Sequence, residues 1–355
     1  MTDRNDDPAR ARTGPDATAP TDATAATDAT APTDATAATD GGRASALRIG
    51  ILGLDTSHAE TFADELAESE ATTVSAVWDG GDVRDESAVA SFCETYGAVA
   101  YDDPTSMVGG VDAAMVLTVD WDTHRELAVP FLEADVPTFV DKVVAGTVAD
   151  VEAVAEAAGD TPLFGGSSIP FHPGVEKLPR GAVGRTVYAA GYNDPFYYGV
   201  HVVDSARAVA DAPWARVRPL EGPTLRVEVT FENGSCALLQ FDGETEDPAF
   251  GFLDVADRTR TAHVGMGDRY GAMRESFFDA FVAAARGERD DGDRVLDAAR
   301  LQLAVHAALE SGETVTPDSE TLAAYHADGA AYATAYAADK PAAISGDWKS
   351  DGRSG

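Results

Sequence analysis

Leu47-Arg48-Ile49-Gly50-Ile51-Leu52-Gly53-Leu54-Asp55-Thr56-Ser57-His58 is the stretch on which the reading of this chain turns. An apolar run ends in a glycine, two hydroxyl residues follow, and residues 58–68 have helical texture with Thr56 or Ser57 as the cap. That is a strand, a tight turn and a helix. The same alternation continues. Residues 72–78 form a second strand ending at Asp79, 86–96 a helix, 112–118 a strand, and 123–134 a helix. Residues 137–140 form a buried strand ending at Asp141-Lys142, 147–158 a helix, and 162–164 a short strand. Short connections between alternating elements predict a doubly wound parallel sheet of the Rossmann kind over 46–166. Ligands bind such sheets beyond the carboxyl ends of the strands.

After residue 168 the texture changes. Residues 187–190, 225–231 and 236–241 read as strands, with Asn233-Gly234 as a hairpin turn. Helices are predicted near 199–210, 272–286 and 293–310. This predicts a second, α+β domain over 167–335, with an open, mostly antiparallel sheet. Residues 17–40 repeat an Ala/Thr/Asp hexapeptide with no bulky apolar residue, so 1–45 is expected to be a disordered acidic tail and 336–355 a flexible one.

The chain has 355 residues, with 61 acidic against 26 basic side chains and a formal charge of −35. Residues 1–45 carry eight Asp and four Arg, so most of the excess belongs to the folded part. Such a surface repels nucleic acid and anionic membranes, and it suits solubility in concentrated salt, as in a halophile. No apolar run is long enough for a membrane span, and the N-terminus lacks a signal-peptide pattern, so a cytoplasmic protein is expected. Cys93 and Cys236 form no CxxC and read as small core residues. No HxxxH or HxH pair exists, so no metal site is expected.

The turn after the first strand points to a nucleotide. Gly53 fits the first glycine of GxGxxG, while Asp55 stands at the second and His58 at the third. Gly53, Leu54, Thr56, Ser57 and His58 are therefore candidates for holding a dinucleotide, although the charge of Asp55 opposes a phosphate. Asp79 can accept from a ribose diol and disfavours a 2′-phosphate, which favours NAD over NADP. Thr118 and His124 follow the 112–118 strand and are candidates for the nucleotide side. Asp141 is a candidate for orienting Lys142 or facing a ribose. Lys142, one of four lysines, ends a central strand, where it can stabilise a developing oxyanion. His201 can take a hydroxyl proton, with Asp204 three residues on to hold its ring.

These segments, in their order, resemble the glucose-fructose oxidoreductase / inositol dehydrogenase / MocA family over roughly 46–318. Thr118…His124 matches the family's Thr-Pro…His segment without the proline. Asp141-Lys142-Val143 matches its Glu-Lys-Pro. Residues 199–204 match the opening of its second domain. Where the family places an Asp four residues before the histidine, this chain has Tyr197, whose hydroxyl is a candidate catalytic group. The resemblance implies an NAD(P)-dependent oxidoreductase acting on a polyol, sugar or sugar acid, and a homo-oligomer, dimer or tetramer, built on the open sheet. Two other readings stay open: a carbohydrate sensor or partner subunit without turnover, and a lyase or epimerase with tightly held NAD.

Overall fold

The computed structural model describes residues 45–81, 83–241, 249–265 and 270–341. The repeats within 17–40 and the last residues of the predicted C-terminal tail lie outside these. From Leu47 the elements are β1 (Leu47–Leu52), α1 (Ser57–Glu68), β2 (Thr72–Trp78), α2 (Glu86–Tyr96), β3 (Val99–Ala100), β4 (Ala113–Val116), α3 (His124–Leu132), β5 (Thr138–Asp141), α4 (Val148–Ala158) and β6 (Leu163–Gly166). The six strands are all parallel, in the order β3-β2-β1-β4-β5-β6. Every residue of β4, β5 and β6 is buried, as a parallel sheet covered on both faces requires. The order reverses between β1 and β4, which opens a crevice beyond their carboxyl ends.

The second half holds β7 (Thr186–Ala190), α5 (Gly199–Ala210), β8 (Trp214–Pro219), β9 (Arg226–Phe231), β10 (Cys236–Gln240), β11 (Ala249–Val255) and β12 (Thr259–Gly265). Its sheet runs β12-β11-β7-β10-β9-β8 and is antiparallel except for the β7–β10 pair. Alternation sends Val187, Ala189, Ala237, Leu239 and Phe252 inward, and leaves Tyr188 and Leu253 on the open face. Cys93 and Cys236 are free thiols, half-buried rather than in the core.

Four helices close the chain: α6 (Tyr270–Ala285), α7 (Gly292–Ser311), α8 (Glu320–Ala323) and α9 (Gly329–Asp339). Predicted as the end of the second domain, α6 and α7 also pack back onto the first. Phe277 of α6 lies 5.7 Å from Phe139 of β5 and 5.2 Å from Phe164 of β6, ring centre to ring centre. Both sheets therefore share one apolar core, which holds the crevice between them in place. α5 is buried nearly all round, and a Cβ at Gly199 would meet the Phe241 ring at 2.9 Å. Helical structure continues through Asp339, beyond the boundary expected at 335. The stripe Tyr332, Tyr336 and Lys340 explains why: three residues at helical spacing bind an otherwise Ala-rich segment to the body.

Candidate active site

β1 ends in a turn that only glycine suits. Gly53 has φ +107°, its N–H donates to Trp78 O at 2.8 Å, and a Cβ there would meet the Thr118 backbone nitrogen at 2.8 Å. Gly53→Ala is therefore expected to cost about 2–4 kcal/mol of stability, measured by chemical denaturation; an unchanged midpoint would contradict the geometry. Leu54 is fully buried, and its N–H donates to Asp79 O at 2.9 Å, so it supports the turn from beneath. Thr56 caps α1, accepting from His58 N–H at 2.8 Å, and Ser57 opens the helix half-buried.

Asp55 sits where a phosphate-binding turn would carry its second glycine. Its Oδ2 accepts from Val119 N–H at 2.8 Å, its Oδ1 has no partner, and the residue is only 9% exposed. Burial pushes its carboxyl up to about 6. Asp79 folds its carboxylate onto its own loop, with Gly81 N–H at 2.9 Å and Arg84 N–H at 3.5 Å. Arg84 is buried; it donates to Leu54 O at 2.7 Å and pairs with Glu60 at 2.5 Å. The arginine locks the first turn to α1. Nothing in the local sequence distinguishes it from a surface charge.

At the end of β5, Asp141 and Lys142 are both buried. Asp141 Oδ2 meets His58 Nδ1 at 2.5 Å, and its Oδ1 accepts from Lys142 N–H at 2.8 Å. Burial opposes ionisation of Asp141, but His58 and Lys142 overcome it and hold the carboxyl below its usual range. The peptide after Lys142 is cis. The Lys142 amine lies 3.1 Å from the centre of the Tyr197 ring. Burial brings it down to about 7, against the attraction of Asp141 and with the repulsion of Lys340.

The structure brings His201 to the same place. Burial, with the nearby Lys142 and His58, takes its imidazole down to about 3, so the ring is neutral. Ser167 Oγ lies 2.7 Å from His201 Nδ1 and accepts from Ile169 N–H at 3.0 Å, which leaves Nε2 for a ligand. Asp204, expected to hold that ring, does not. It accepts from Ser167 N–H at 2.9 Å and pairs with Arg294 of α7. Three residues along α5 its carboxylate reaches the turn after β6 instead, where Gly166 leaves room: a Cβ there would meet Asp204 Oδ2 at 2.7 Å. The histidine is thus positioned through Ser167, with Asp204 and Arg294 behind it. Only the neighbouring pair Ser167-Ser168 hinted at this in the sequence.

Other candidates fall elsewhere. His124 is fully buried, with Nε2 2.8 Å from Thr118 O and Nδ1 3.2 Å from Val144 O, so it ties the turn after β4 to the loop after β5 and offers no ring nitrogen to a nucleotide. Thr118 is buried and shares its hydroxyl with Thr123 at 2.8 Å, near the Gly53 turn. Tyr197 lies beneath the lysine, 6% exposed, with burial raising its phenol well above the usual range. It presents its ring face to the lysine amine. Asp194 Oδ1 fixes the approach to α5 by accepting from Phe196 and Tyr197 N–H at 2.9 and 2.6 Å. Among the described residues no group of three or more His, Cys, Asp or Glu is arranged to hold a metal, and no helix is long and apolar enough to cross a membrane.

No curated protein matches this sequence. Solved structures resemble it in fold. The myo-inositol dehydrogenase of Lactobacillus casei, solved with NAD(H) and myo-inositol, superposes with a TM-score of 0.63 at 14% identity, covering 77% of this chain and 97% of its own. The myo-inositol dehydrogenase of Corynebacterium glutamicum gives 0.63 at 14% identity, over 77% and 99%. An oxidoreductase of Agrobacterium radiobacter, solved with NAD+, L-tartaric acid and magnesium, gives 0.60 at 14% identity, over 76% and 98%. Residues 47–163, from β1 to the first residue of β6, match an oxidoreductase family described by its NAD-binding Rossmann fold. Over this first domain the sequence is similar to the Gfo/Idh/MocA family of oxidoreductases.

Proposed function

We propose that this protein is an NAD-dependent dehydrogenase acting on a hydroxyl group of a polyol, sugar or sugar acid. The observation that carries the reading is Lys142: a buried amine at the carboxyl end of a central strand, brought to about 7 beside a neutral histidine. The residues around the crevice fit a dinucleotide. Gly53 gives a close backbone approach, Asp79 lies at the end of β2 where a ribose diol would sit, and its charge disfavours a 2′-phosphate. When bound, the nicotinamide supplies the hydride acceptor or donor.

The chain's own residues handle the proton. Near neutrality the Lys142 amine is part neutral and part ammonium. The neutral form takes the proton of a substrate hydroxyl, and the ammonium polarises a carbonyl in the reverse direction. Asp141, held by His58, keeps a negative charge beside the lysine and stabilises the ammonium. His201 stays neutral and offers Nε2 as a hydrogen-bonding partner that orients the substrate, so its role here is orientation rather than proton storage. The test is nicotinamide reduction by the purified protein in concentrated KCl against a panel of inositols, sugars and sugar acids. Turnover with NAD and a weaker response with NADP are expected; a folded protein inert towards the whole panel would contradict the reading.

The half-satisfied charge of Asp55 favours a second reading, in which the fold serves without redox turnover, as a sensor or subunit or with tightly held NAD. Nucleotide released on denaturation would separate the tightly held case from the others.

The open face of the second sheet supports a homodimer. Leu253 and Tyr188 pair across β11 and β7, and Tyr188 and Leu238 across β7 and β10, in an outward-facing apolar row. Tyr188 is 44% and Leu253 36% exposed in the single chain. Tyr188→Asp with Leu253→Asp is expected to halve the mass seen by light scattering; a monomeric parent protein would remove the proposal.

A further inference from the structure

The crevice beyond β4 and β5 is covered by α9, the last helix among the described residues. Tyr332 of α9 stacks on Tyr197 at 4.6 Å and 26°, and lies 5.1 Å from Trp121. One turn on, Tyr336 is 8% exposed and packs with Val119, Val143 and Tyr197. Val119, whose N–H holds Asp55, and Val143, two residues after Asp141, place it between the first turn and the end of β5. A further turn on, Lys340 Nζ donates to the Tyr198 hydroxyl at 3.3 Å and lies close enough to Lys142 to repel its charge.

The two ends of α9 are held differently. Its start is tied to the body: Trp121 Nε1 donates to Ala327 O at 2.8 Å, Ala327 N–H to Gly146 O at 3.0 Å, and Gly329 N–H to Asp122 Oδ2 at 2.9 Å. The fit there is close, since a Cβ at Gly146 would meet Ala327 O at 2.5 Å. Ala330 N–H also reaches Asp122 Oδ2, at 3.4 Å. Beyond it the contacts described are those of the stripe at 332, 333, 336 and 340, while Ala331, Thr334, Ala335, Ala337 and Ala338 are exposed. A short helix anchored at one end and held by one narrow stripe opens locally at low free-energy cost.

We propose that α9 is a stopper built into the chain. Docked, its Tyr336 fills the part of the crevice between Asp55 and Asp141 that the nicotinamide end of a dinucleotide requires, and the ligand enters only when the 332–340 end swings away. The proposal rests on the nucleotide reading above for the identity of the ligand, but not for the motion. Docked and open forms compete, so the apparent affinity is the intrinsic one reduced by the open fraction.

The test uses the full chain in concentrated KCl, as wild type, as Tyr332→Ser with Tyr336→Ser, and as Lys340→Ala, which frees the end of α9 from Tyr198 and also removes a charge that repels Lys142. Two readouts are taken on proteins with wild-type circular dichroism: the rate at which an amine-reactive acetylating reagent labels Lys142, mapped by peptide mass, and the apparent Kd for NADH. The double variant is expected to raise Lys142 labelling on the order of tenfold and to tighten NADH on the order of tenfold, with Lys340→Ala moving both the same way by less. Unchanged labelling in both variants overturns the stopper even if wild type binds NADH well. Faster labelling with weaker NADH binding also overturns it, because α9 would then be part of the binding wall. Faster labelling with no NADH binding by any form keeps the stopper and removes the nucleotide reading.

Discussion

Lys142→Met is expected to abolish turnover and, below neutral pH, to raise the melting temperature. Loss of the group that takes and returns the proton costs about 10²–10⁴ in rate for general acid–base catalysis, and more where the same charge stabilises an oxyanion. The stability effect has the opposite sign. The lysine titrates at about 7 in the folded chain against 10.5 in an unfolded one. Between those values the unfolded chain binds more protons, so stability rises with pH across that window. Below about pH 7 both states carry the proton, and the folded state bears the whole burial cost, on the order of 5 kcal/mol from the shift alone. Methionine removes that cost but also removes the attraction for Asp141, so a net gain on the order of 1–3 kcal/mol is expected at about pH 6, fading above about pH 10. Thermal unfolding at these two pH values, alongside the rate, checks both parts. A variant that is inactive and also less stable at about pH 6 would mean that the lysine is an ordinary structural ion-pair partner.

Asp55→Asn is expected to stabilise the protein at neutral pH and to tighten nucleotide binding. The carboxyl is raised from 3.8 to about 6, with burial as the leading cause. Below 3.8 both folded and unfolded chains are protonated and no cost arises. As pH rises through about 6 the folded state comes to bear the whole cost of a buried, half-satisfied charge, on the order of 3 kcal/mol. Asparagine keeps an oxygen for Val119 N–H and carries no charge, so a melting point a few degrees higher is expected near pH 7.5, with little change near pH 4. The same charge opposes a pyrophosphate at the turn. That repulsion is lowered by salt but not removed at a buried site, so on the order of tenfold tighter NADH binding is expected. Tighter binding without extra stability would show that the carboxylate has a partner in the folded protein.

The first sheet was legible because its strands are short apolar runs divided by glycine turns, and the 3.6-residue texture of the helices separates them. Its edge strand β3 has two exposed residues, too few to show a pattern. In the second half, β9 and β10 alternate cleanly, whereas Thr259–Gly265 puts the half-buried Arg260 in its inward row, with Thr259, Thr261 and His263 outward, and reads as loop. Of the site, Lys142 and His201 were visible as isolated ionisable residues at element ends. Their supports were not. Ser167 and Arg294 act across 34 and 90 residues of chain, and such contacts leave no local period. Asp204 looked paired with His201 by helical spacing, and the turn after β6 took it instead. The end of α9, from Tyr336, was read as tail because alanine dominates the segment, and the meaning of Tyr332 and Tyr336 lies in Trp121 and Tyr197, far away in sequence.

The most direct measurement is an NADH titration of the wild-type chain and Asp55→Asn in concentrated KCl, at about pH 5 and about pH 8. If the crevice over Lys142 holds a nicotinamide dinucleotide, wild type binds saturably and more tightly at the lower pH, where Asp55 is protonated, while Asp55→Asn binds tightly at both. Two folded proteins that bind nothing at either pH would contradict the account.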